Sequence, residues 1–330
     1  MKQKILIIAL LLCSLFTGIS NAAPLSNDNI KNEPLIRVGL WTGQTSVFVS
    51  ADDKFSIIDK SNRKTIATYE AKTRVIVSIK AGKIYLDSNK CESNNIEVVL
   101  KNYSEDKSIE VNRKNYRGNI EISNNKGLAV INILPLEEYL YSIVAGEMSP
   151  SWPQEALKAQ AVAARTYALN EINKHVNEGF NVCPTTHCQV YGGKNVEDIR
   201  AITAVDDTKG LVLYSNGKLI TAVFHSASGG YTENSEEVWG SYLPYLRAVP
   251  DYDQNSPNYK WEKKLTALEI QQKIIAAGYN IGKLQAIEIS PLKSYSKNSN
   301  DRSAVGRIKN ISFIGDANTV MLSGAKARTD

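Results

Sequence analysis

The sequence predicts an α+β protein in which a helix-bearing core is flanked by β-rich lobes, and three observations lead there. Short runs rich in Val, Ile, Phe and Tyr recur between Leu35 and Leu134, separated by clusters of Asn, Asp, Gly and Ser, the pattern of strands joined by tight turns. At Pro135 the apolar spacing changes from that of a strand to that of a helix. An alanine-dense segment follows, and strand-like stretches return beyond Val205, so helices and strands are segregated along the chain.

The 330 residues are 43% hydrophobic, 22% charged and 8% aromatic, which excludes a disordered tail. Ten Pro and twenty Gly are too few for a collagen-like or low-complexity protein, and four Cys are too few for a disulfide scaffold. The length allows roughly two domains of about 100–200 residues each. The formal charge is +5 and falls to +3 without residues 1–22, which carry Lys2 and Lys4 and no acid. With no Lys/Arg cluster besides, no nucleic-acid partner is expected, and mild basicity is compatible with an anionic wall or membrane surface.

At the N-terminus Lys2 and Lys4 precede an apolar run from Ile5 to Phe16, then Gly18 and Ser20-Asn21-Ala22-Ala23. This reads as a secretory signal peptide over residues 1–22, cut after Ala22. The run is shorter than the roughly 20 residues of a spanning helix, an uncleaved anchor being the alternative. Lipid attachment at Cys13 is disfavoured by Leu12 before it. A polar linker, residues 23–35, leads into a β-rich lobe, residues 36–125. Its strands are expected at Ile36–Leu40, Val47–Val49, Phe55–Ile58, Thr73–Ile79, Lys83–Leu86, Glu97–Leu100 and Gly118–Ile122, with Leu128–Ile133 opening a core over residues 126–250.

Within that core, Leu136, Leu140, Ile143 and Val144 form one face of a helix ending at Gly146. Ser149-Pro-Ser-Trp-Pro153 breaks the chain, and Ser151 with Gln154 predicts a capping box opening a second helix to about Asn173, with Pro153 tolerated in its first turn. Ala156, Ala159, Ala161, Ala163, Ala164 and Ala168 make that helix fit for close packing. A loop is expected from Asn177 to Val205, then a hairpin of Gly210–Tyr214 and Lys218–His225 about Asn216-Gly217. In the C-terminal segment, residues 251–330, Thr266 and Glu269 predict a capped helix to Ala277 stopped by Gly278, followed by strands at 284–290, 305–314 and 318–322.

Three constellations could carry chemistry. Glu147 lies between the first two helices among Val144, Met148 and Trp152, a setting that would desolvate a carboxyl group and favour its acid form, while Gly146 would admit a ligand; a solvated helix-end Glu is the alternative. Cys183-Pro-Thr-Thr-His187-Cys188 could wrap a tetrahedral zinc, with His175 or His225 available as a fourth ligand. A Cys183–Cys188 disulfide and a catalytic Cys–His pair are the competing readings, and three Cys beyond the signal, Cys91 included, cannot all pair within one chain. Finally, His225-Ser-Ala-Ser-Gly-Gly230 ends a strand in hydroxyls and exposed backbone suited to a hydroxyl-rich polymer, or is simply a glycine turn; it lacks a nucleophile elbow.

Taken in order, Leu134-Pro-Leu-Glu-Glu-Tyr-Leu140, Val144-Ala-Gly-Glu-Met148, Glu155–Leu169, Cys188-Gln-Val-Tyr191 and His225–Gly230 resemble the stage II sporulation protein D family. The resemblance implies a secreted or membrane-tethered peptidoglycan lytic transglycosylase that cuts between N-acetylmuramic acid and N-acetylglucosamine, leaves a 1,6-anhydro end and acts in forespore engulfment with a partner amidase and membrane-bound partner proteins. It implies Glu147 as the sole catalytic acid, since the sugar's own C6 hydroxyl replaces the second carboxyl group of ordinary glycosidases. Glu138, Glu155, Glu233 and Asp251 accordingly receive no catalytic role. The family's metal cluster maps onto Cys183, His187 and Cys188, favouring Zn2+ over the disulfide, with His175 preferred as fourth ligand because it is local. Tyr191, His225, Ser226, Ser228 and Gly229 would then line the glycan groove. A non-catalytic enhancer of a cell-wall amidase is the principal alternative and a Cys–His hydrolase a further one. The family's core is usually followed by more chain than ends here at Asp330, so a truncated C-terminus is expected, leaving strand pairing near Val320–Leu322 open.

Overall fold

The computed structural model describes residues 22–24, 33–289 and 302–329. The expected signal peptide up to Asn21 and most of the linker lie outside the described residues. The chain divides between Val223 and Phe224 into two compact units.

The first unit carries β1 (Ala22–Pro24), β2 (Leu35–Gln44), β3 (Ser46–Ala51), β4 (Phe55–Asp59), β5 (Thr65–Tyr69), β6 (Val75–Lys80) and β7 (Lys83–Leu86). After these come β8 (Asn89–Lys90), β9 (Asn95–Leu100), β10 (Ile109–Val111), β11 (Lys114–Tyr116), β12 (Asn119–Asn124) and β13 (Leu128–Pro135). They form two six-stranded antiparallel sheets, ordered β2-β13-β12-β9-β4-β5 and β11-β10-β3-β6-β7-β8. Alternation places Ile57, Ile96, Val98, Ile120 and Val130 of the first sheet, and Val49, Val75, Val77 and Val111 of the second, out of contact with water. Five strands escape the sequence pattern, among them β1 in the expected leader and linker and the two-residue β8. β5 is an edge strand whose residues are largely exposed, and β10 and β11 are too short to show a period.

β13 runs straight into α1 (Leu136–Glu147), followed by α2 (Gln154–Asn170), α3 (Ile199–Asp207), β14 (Leu211–Ser215) and β15 (Lys218–Leu219). Because β13 is a central strand of its sheet and the stem of α1, the β-rich lobe and the helices share one unit, and no division falls near residue 125. The cap of α1 comes from a distance: the Glu137 amide donates to Glu33 Oε1 at 2.8 Å. The expected Ser151 capping box is replaced by another arrangement, because the N-cap is Pro153, the Gln154 side chain donates to the Arg200 carbonyl at 3.1 Å, and Ser151 pairs with Ser149. α2 also ends at Asn170, short of Asn173.

α3 lies where a loop was expected; it is short, capped by the Asp198 side chain on the Arg200 amide, and buries Ala201, Ala204 and Val205. The β14–β15 hairpin turns at Asn216 and Gly217, both with positive φ, 51° and 74°, as a two-residue Asn-Gly turn requires. Its pairing ends at Leu219, so the predicted strand to His225 is shorter than its apolar run.

At the centre of the helices, Arg165 of α2 is fully buried. Its guanidinium meets Glu137 of α1, Nη2 to Oε2 at 2.6 Å and Nε to Oε1 at 2.9 Å, and donates to the carbonyls of Leu211 and Val205 at 3.1 and 3.2 Å. Glu137 Oε1 also accepts the Gly210 amide at 3.2 Å. Ala161, Ala164 and Ala168 are buried beside this pair and supply the close packing that the alanine content predicted.

The second unit contains α4 (Ser235–Trp239), α5 (Ala267–Ala276), β16 (Leu284–Glu288), β17 (Asn310–Gly315), β18 (Thr319–Ser323) and α6 (Gly324–Thr329). The Thr266/Glu269 capping box forms, and α5 stops before Gly278. The last strands are paired: β17 is central between β16 and β18, over a small core of Ile274, Ile281, Phe313 and Leu322.

The buried charge pair yields a stability prediction. Glu137→Gln leaves a guanidinium that cannot deprotonate without its counter-charge and is expected to cost about 3–5 kcal/mol. The joint replacement Glu137→Leu with Arg165→Met is expected to cost less. Urea unfolding of the three proteins checks this, and equal losses in both variants would show that packing, not charge, governs the site.

Candidate active site and metal-binding cluster

Four donor side chains converge in the segment between α2 and α3. One ligand atom each from His175, Cys183, His187 and Cys188 lies within 4.8 Å of every other. His175 Nε2 is 3.4 Å from Cys188 Sγ, and His187 Nδ1 is 3.6 Å from Cys183 Sγ and 3.8 Å from Cys188 Sγ. Both cysteines are free thiols. The other ring nitrogen of His175 faces Glu178 Oε1 at 2.5 Å, the carboxylate support that orients a ligating imidazole. Burial would raise the Cys183 thiol, but hydrogen bonds from the Thr185 hydroxyl and amide and from His187 outweigh it and bring the thiol down to about 7. Burial, with Cys183 as neighbour, pushes Cys188 up to about 11. Two sulfurs and two imidazole nitrogens are a donor set suited to a soft, four-coordinate metal ion.

The loop is held by β2 of the first sheet. The Arg37 amide donates to Asn181 Oδ1 at 2.8 Å, the Asn181 amide returns to the Arg37 carbonyl at 2.9 Å, and the Gly39 amide donates to the Val182 carbonyl at 3.0 Å. Phe180 stacks on the His175 ring, with centroids 5.0 Å apart. A Cβ on Gly39 would lie 2.6 Å from the Phe180 ring, so glycine at this strand position makes room for the ring that backs His175.

Glu147 closes α1. Glu147 is half-buried rather than enclosed, and Trp152 is 49% exposed. Oε1 accepts the Val190 amide at 2.7 Å, and the other oxygen accepts no hydrogen bond among the described residues. Gly146, the residue before Glu147, is exposed, and a Cβ there would sit 3.1 Å from the Val190 carbonyl.

The segment after Cys188 is anchored residue by residue. Gln189 is fully buried; its Oε1 accepts the Tyr139 hydroxyl at 3.1 Å and its Nε2 donates to the Ala164 carbonyl at 3.3 Å. Tyr191, expected on the glycan groove, is buried, stacked on Tyr139 and donates its hydroxyl to Asn132 Oδ1 at 2.6 Å. Asn132 in turn spends its amide group on the carbonyls of Arg117 and Asn119. The Gly192 amide donates to Ser142 Oγ at 3.1 Å. Sequence reasoning did not single out Gln189, Asn132 or the Val190 amide. A main-chain donor carries no side-chain signature, and Asn132 reads as one polar residue in an apolar strand.

The other expected substrate-binding residues belong to the second unit. His225, Ser226 and Gly229 are exposed and Ser228 is half-buried; His225 is not a member of the four-residue cluster. Their loop is clamped from both sides. Asp253 accepts the amides of Ser228, Gly229 and Gly230 at 2.6, 2.9 and 3.0 Å, and these backbone hydrogen bonds outweigh desolvation and hold its carboxyl below the usual range. Arg307 donates to the carbonyls of Ser228 and Tyr231 at 2.6 and 2.8 Å. Asp253 and Arg307 gave no signal in the sequence because the groups they clamp in this loop are mainly backbone amides and carbonyls.

Residues 124–214 match the family described as Stage II sporulation protein, a stretch that contains Glu147 and all four cluster residues. The Stage II sporulation protein D of Bacillus subtilis strain 168 is 41% identical over 172 residues, covering 47% of this chain and 50% of that protein. The Amidase enhancer of the same organism is 34% identical over 236 residues, 71% of this chain and 31% of its own length. An uncharacterized protein of Brachyspira hyodysenteriae is 39% identical over 161 residues, 48% of this chain and 43% of that protein. The chain therefore spans half or less of the length of these curated relatives.

The cluster geometry makes a prediction about metal binding. His175→Ala is expected to lower Co2+ affinity by at least tenfold and to weaken the thiolate-to-cobalt absorption, whereas His225→Ala is expected to change neither. Spectroscopic titration of the three proteins checks this, and full affinity in the His175 variant would exclude it as a ligand.

Proposed function

Because this chain belongs, through its central segment, to the stage II sporulation protein D family, we propose that it is an exported lytic transglycosylase acting on peptidoglycan glycan strands during sporulation. The observation that carries the reading is the Glu147 carboxyl, fixed at one oxygen by the Val190 amide and open at the other beside a glycine. Protonated, Glu147 gives its proton to the oxygen between N-acetylmuramic acid and N-acetylglucosamine, and the C1–O bond breaks. The C6 hydroxyl of the muramic residue attacks C1 and Glu147, now a carboxylate, takes its proton. The products are a 1,6-anhydro end and a free hydroxyl, no water is consumed, and the acid is regenerated. A single carboxyl group suffices because the nucleophile is intramolecular, in contrast to the paired carboxyl groups of hydrolytic glycosidases.

Two other acids of this segment are engaged elsewhere. Glu138 is buried under the Tyr103 hydroxyl, and Glu155 pairs with Lys158. The donor set fits zinc, held by His175, Cys183, His187 and Cys188; bound there it would supply a fixed cross-link between thiolates and imidazoles. The exposed loop of His225, Ser226, Ser228 and Gly229 offers hydroxyls and backbone for glycan recognition. A leader sequence at residues 1–22 supports export, and no helix among the described residues is long and apolar enough to cross a membrane.

A second reading is a wall-binding enhancer of an amidase that does not cut glycan. It is favoured by the span of the match to the Amidase enhancer, 71% of this chain. Partner amidases and membrane-bound proteins belong to either reading.

Stem-peptide-free glycan strands incubated with the mature protein are expected to yield saccharides with 1,6-anhydro-N-acetylmuramic ends by mass spectrometry, and Glu147→Gln to lower the rate by about 10²–10⁴-fold. Undiminished turnover in that variant would overturn the mechanism. An inactive wild type that accelerates an added amidase would establish the second reading in its place.

A further inference from the structure

We infer that ligation at Cys188 sets the position of the Glu147 carboxyl through the main chain of Gln189 and Val190, so that Val190 is a positioning residue for the acid; the inference rests on the catalytic reading of Glu147 given above. Only Gln189 separates the cluster ligand from the amide that donates to Glu147 at 2.7 Å. Two residues of chain reach at most about 7 Å, so the two groups cannot move independently.

The strap has little slack. The Cys188 amide donates to the Thr185 carbonyl at 3.0 Å and the Tyr191 amide to the Pro184 carbonyl at 3.2 Å, which closes the loop on itself. Gln189, Tyr191 and Gly192 are each tied to α1, α2 or β13 by the hydrogen bonds described above. At its upstream end the same loop is tied to β2 through Asn181 and Val182. Cys183, His187 and Cys188 lie between these two anchorages and share one small volume with His175 from upstream, so an ion there would join the ends. Without the ion, Cys188 is held by the loop's own hydrogen bonds and, one residue on, by the Gln189 side chain, so what the ion adds is the link between the two thiolates and the two imidazoles. A hydrogen bond loses strength steeply with misalignment, and a displacement of about 1 Å at a reacting group can cost about 10²-fold in rate. The cluster thus acts on the acid by geometry, without contact with substrate.

The test uses the full mature chain, loaded with Zn2+ and labelled with 15N-valine. The Val190 peak is identified by its loss in Val190→Ala, and Glu147→Gln is expected to move it upfield by removing the charged acceptor. Exchange of Zn2+ for the larger Cd2+, which keeps the thiolate ligands and lengthens their bonds, is expected to shift the same peak while those of Val98 and Val130 stay in place. With a defined glycan oligosaccharide, the Cd2+ form and a variant with an ester in place of the Val190 amide are both expected to lose kcat at least tenfold with KM within twofold. A Val190 peak indifferent to Glu147→Gln or to the metal exchange would overturn the inference, as would an ester variant with full kcat. A zinc-loaded wild type that cuts no glycan would remove the catalytic reading instead, and the peak would still decide whether the cluster positions Glu147.

Discussion

The arrangement of the helices follows from one buried charge. A guanidinium cannot shed its proton, so Arg165 at the centre of α2 must have all its donors met inside the protein. The groups that meet them come from α1, the end of α3 and the start of β14. Each is fixed by the others: Glu137 needs the Gly210 amide as well as Arg165, and Gly210 leads the strand whose carbonyl Arg165 binds. Such a network costs desolvation and returns it only when every partner is in place, so the positions of α1, α3 and β14 about α2 are tied to one another. Glu137 and Glu147 stand at opposite ends of α1, so the constraint that orients the helix also orients the acid it carries.

The second constraint couples the β-rich lobe to the chemistry. Strand β2 holds the loop before Cys183 by main-chain hydrogen bonds, and it can do so only because Gly39 leaves space for Phe180 against His175. β13, paired to β2, contributes Asn132 from its buried face, and Asn132 holds the Tyr191 hydroxyl. The sheet thus touches the candidate site at both ends of the Cys183–Tyr191 segment. This is a physical reason for a β lobe and a helical core that the sequence pattern separates at residue 125 to fold as one unit.

What was legible in the sequence is what side-chain chemistry and period express. The α1 face, the Asn216-Gly217 turn and the Thr266/Glu269 capping box could be read because each is a local rule, and the His/Cys residues because their type and spacing are unusual. α3 was not legible, since nine residues with a face of Ala201, Ala204 and Val205 carry too weak an apolar signal. The Ser151 capping box failed because a tertiary contact, Gln154 on the Arg200 carbonyl, competed with the local one. Tyr191 looked like a glycan-lining aromatic; its burial depends on an Asn132 acceptor that lies 59 residues away in sequence. Local rules do not see partners at that distance.

Under the catalytic reading Glu147 serves twice, and what the structure supplies to it is a position. Oε1 is held by a main-chain donor, the Val190 amide, at 2.7 Å, and not by a long side chain with freedom of its own. On the α1 side the main chain is equally close, since a Cβ on Gly146 would lie 3.1 Å from the Val190 carbonyl. The place of that amide follows from its neighbours: the Gln189 side chain is tied to Tyr139 of α1 and Ala164 of α2, and Tyr191 to Asn132 of β13. Donor and carboxyl group therefore hang from the same elements, and a shift of α1 that moved Glu147 would move an anchor of Val190 with it. A reaction in which one group gives a proton and takes one back needs that group in one place throughout, which a short anchored strap provides.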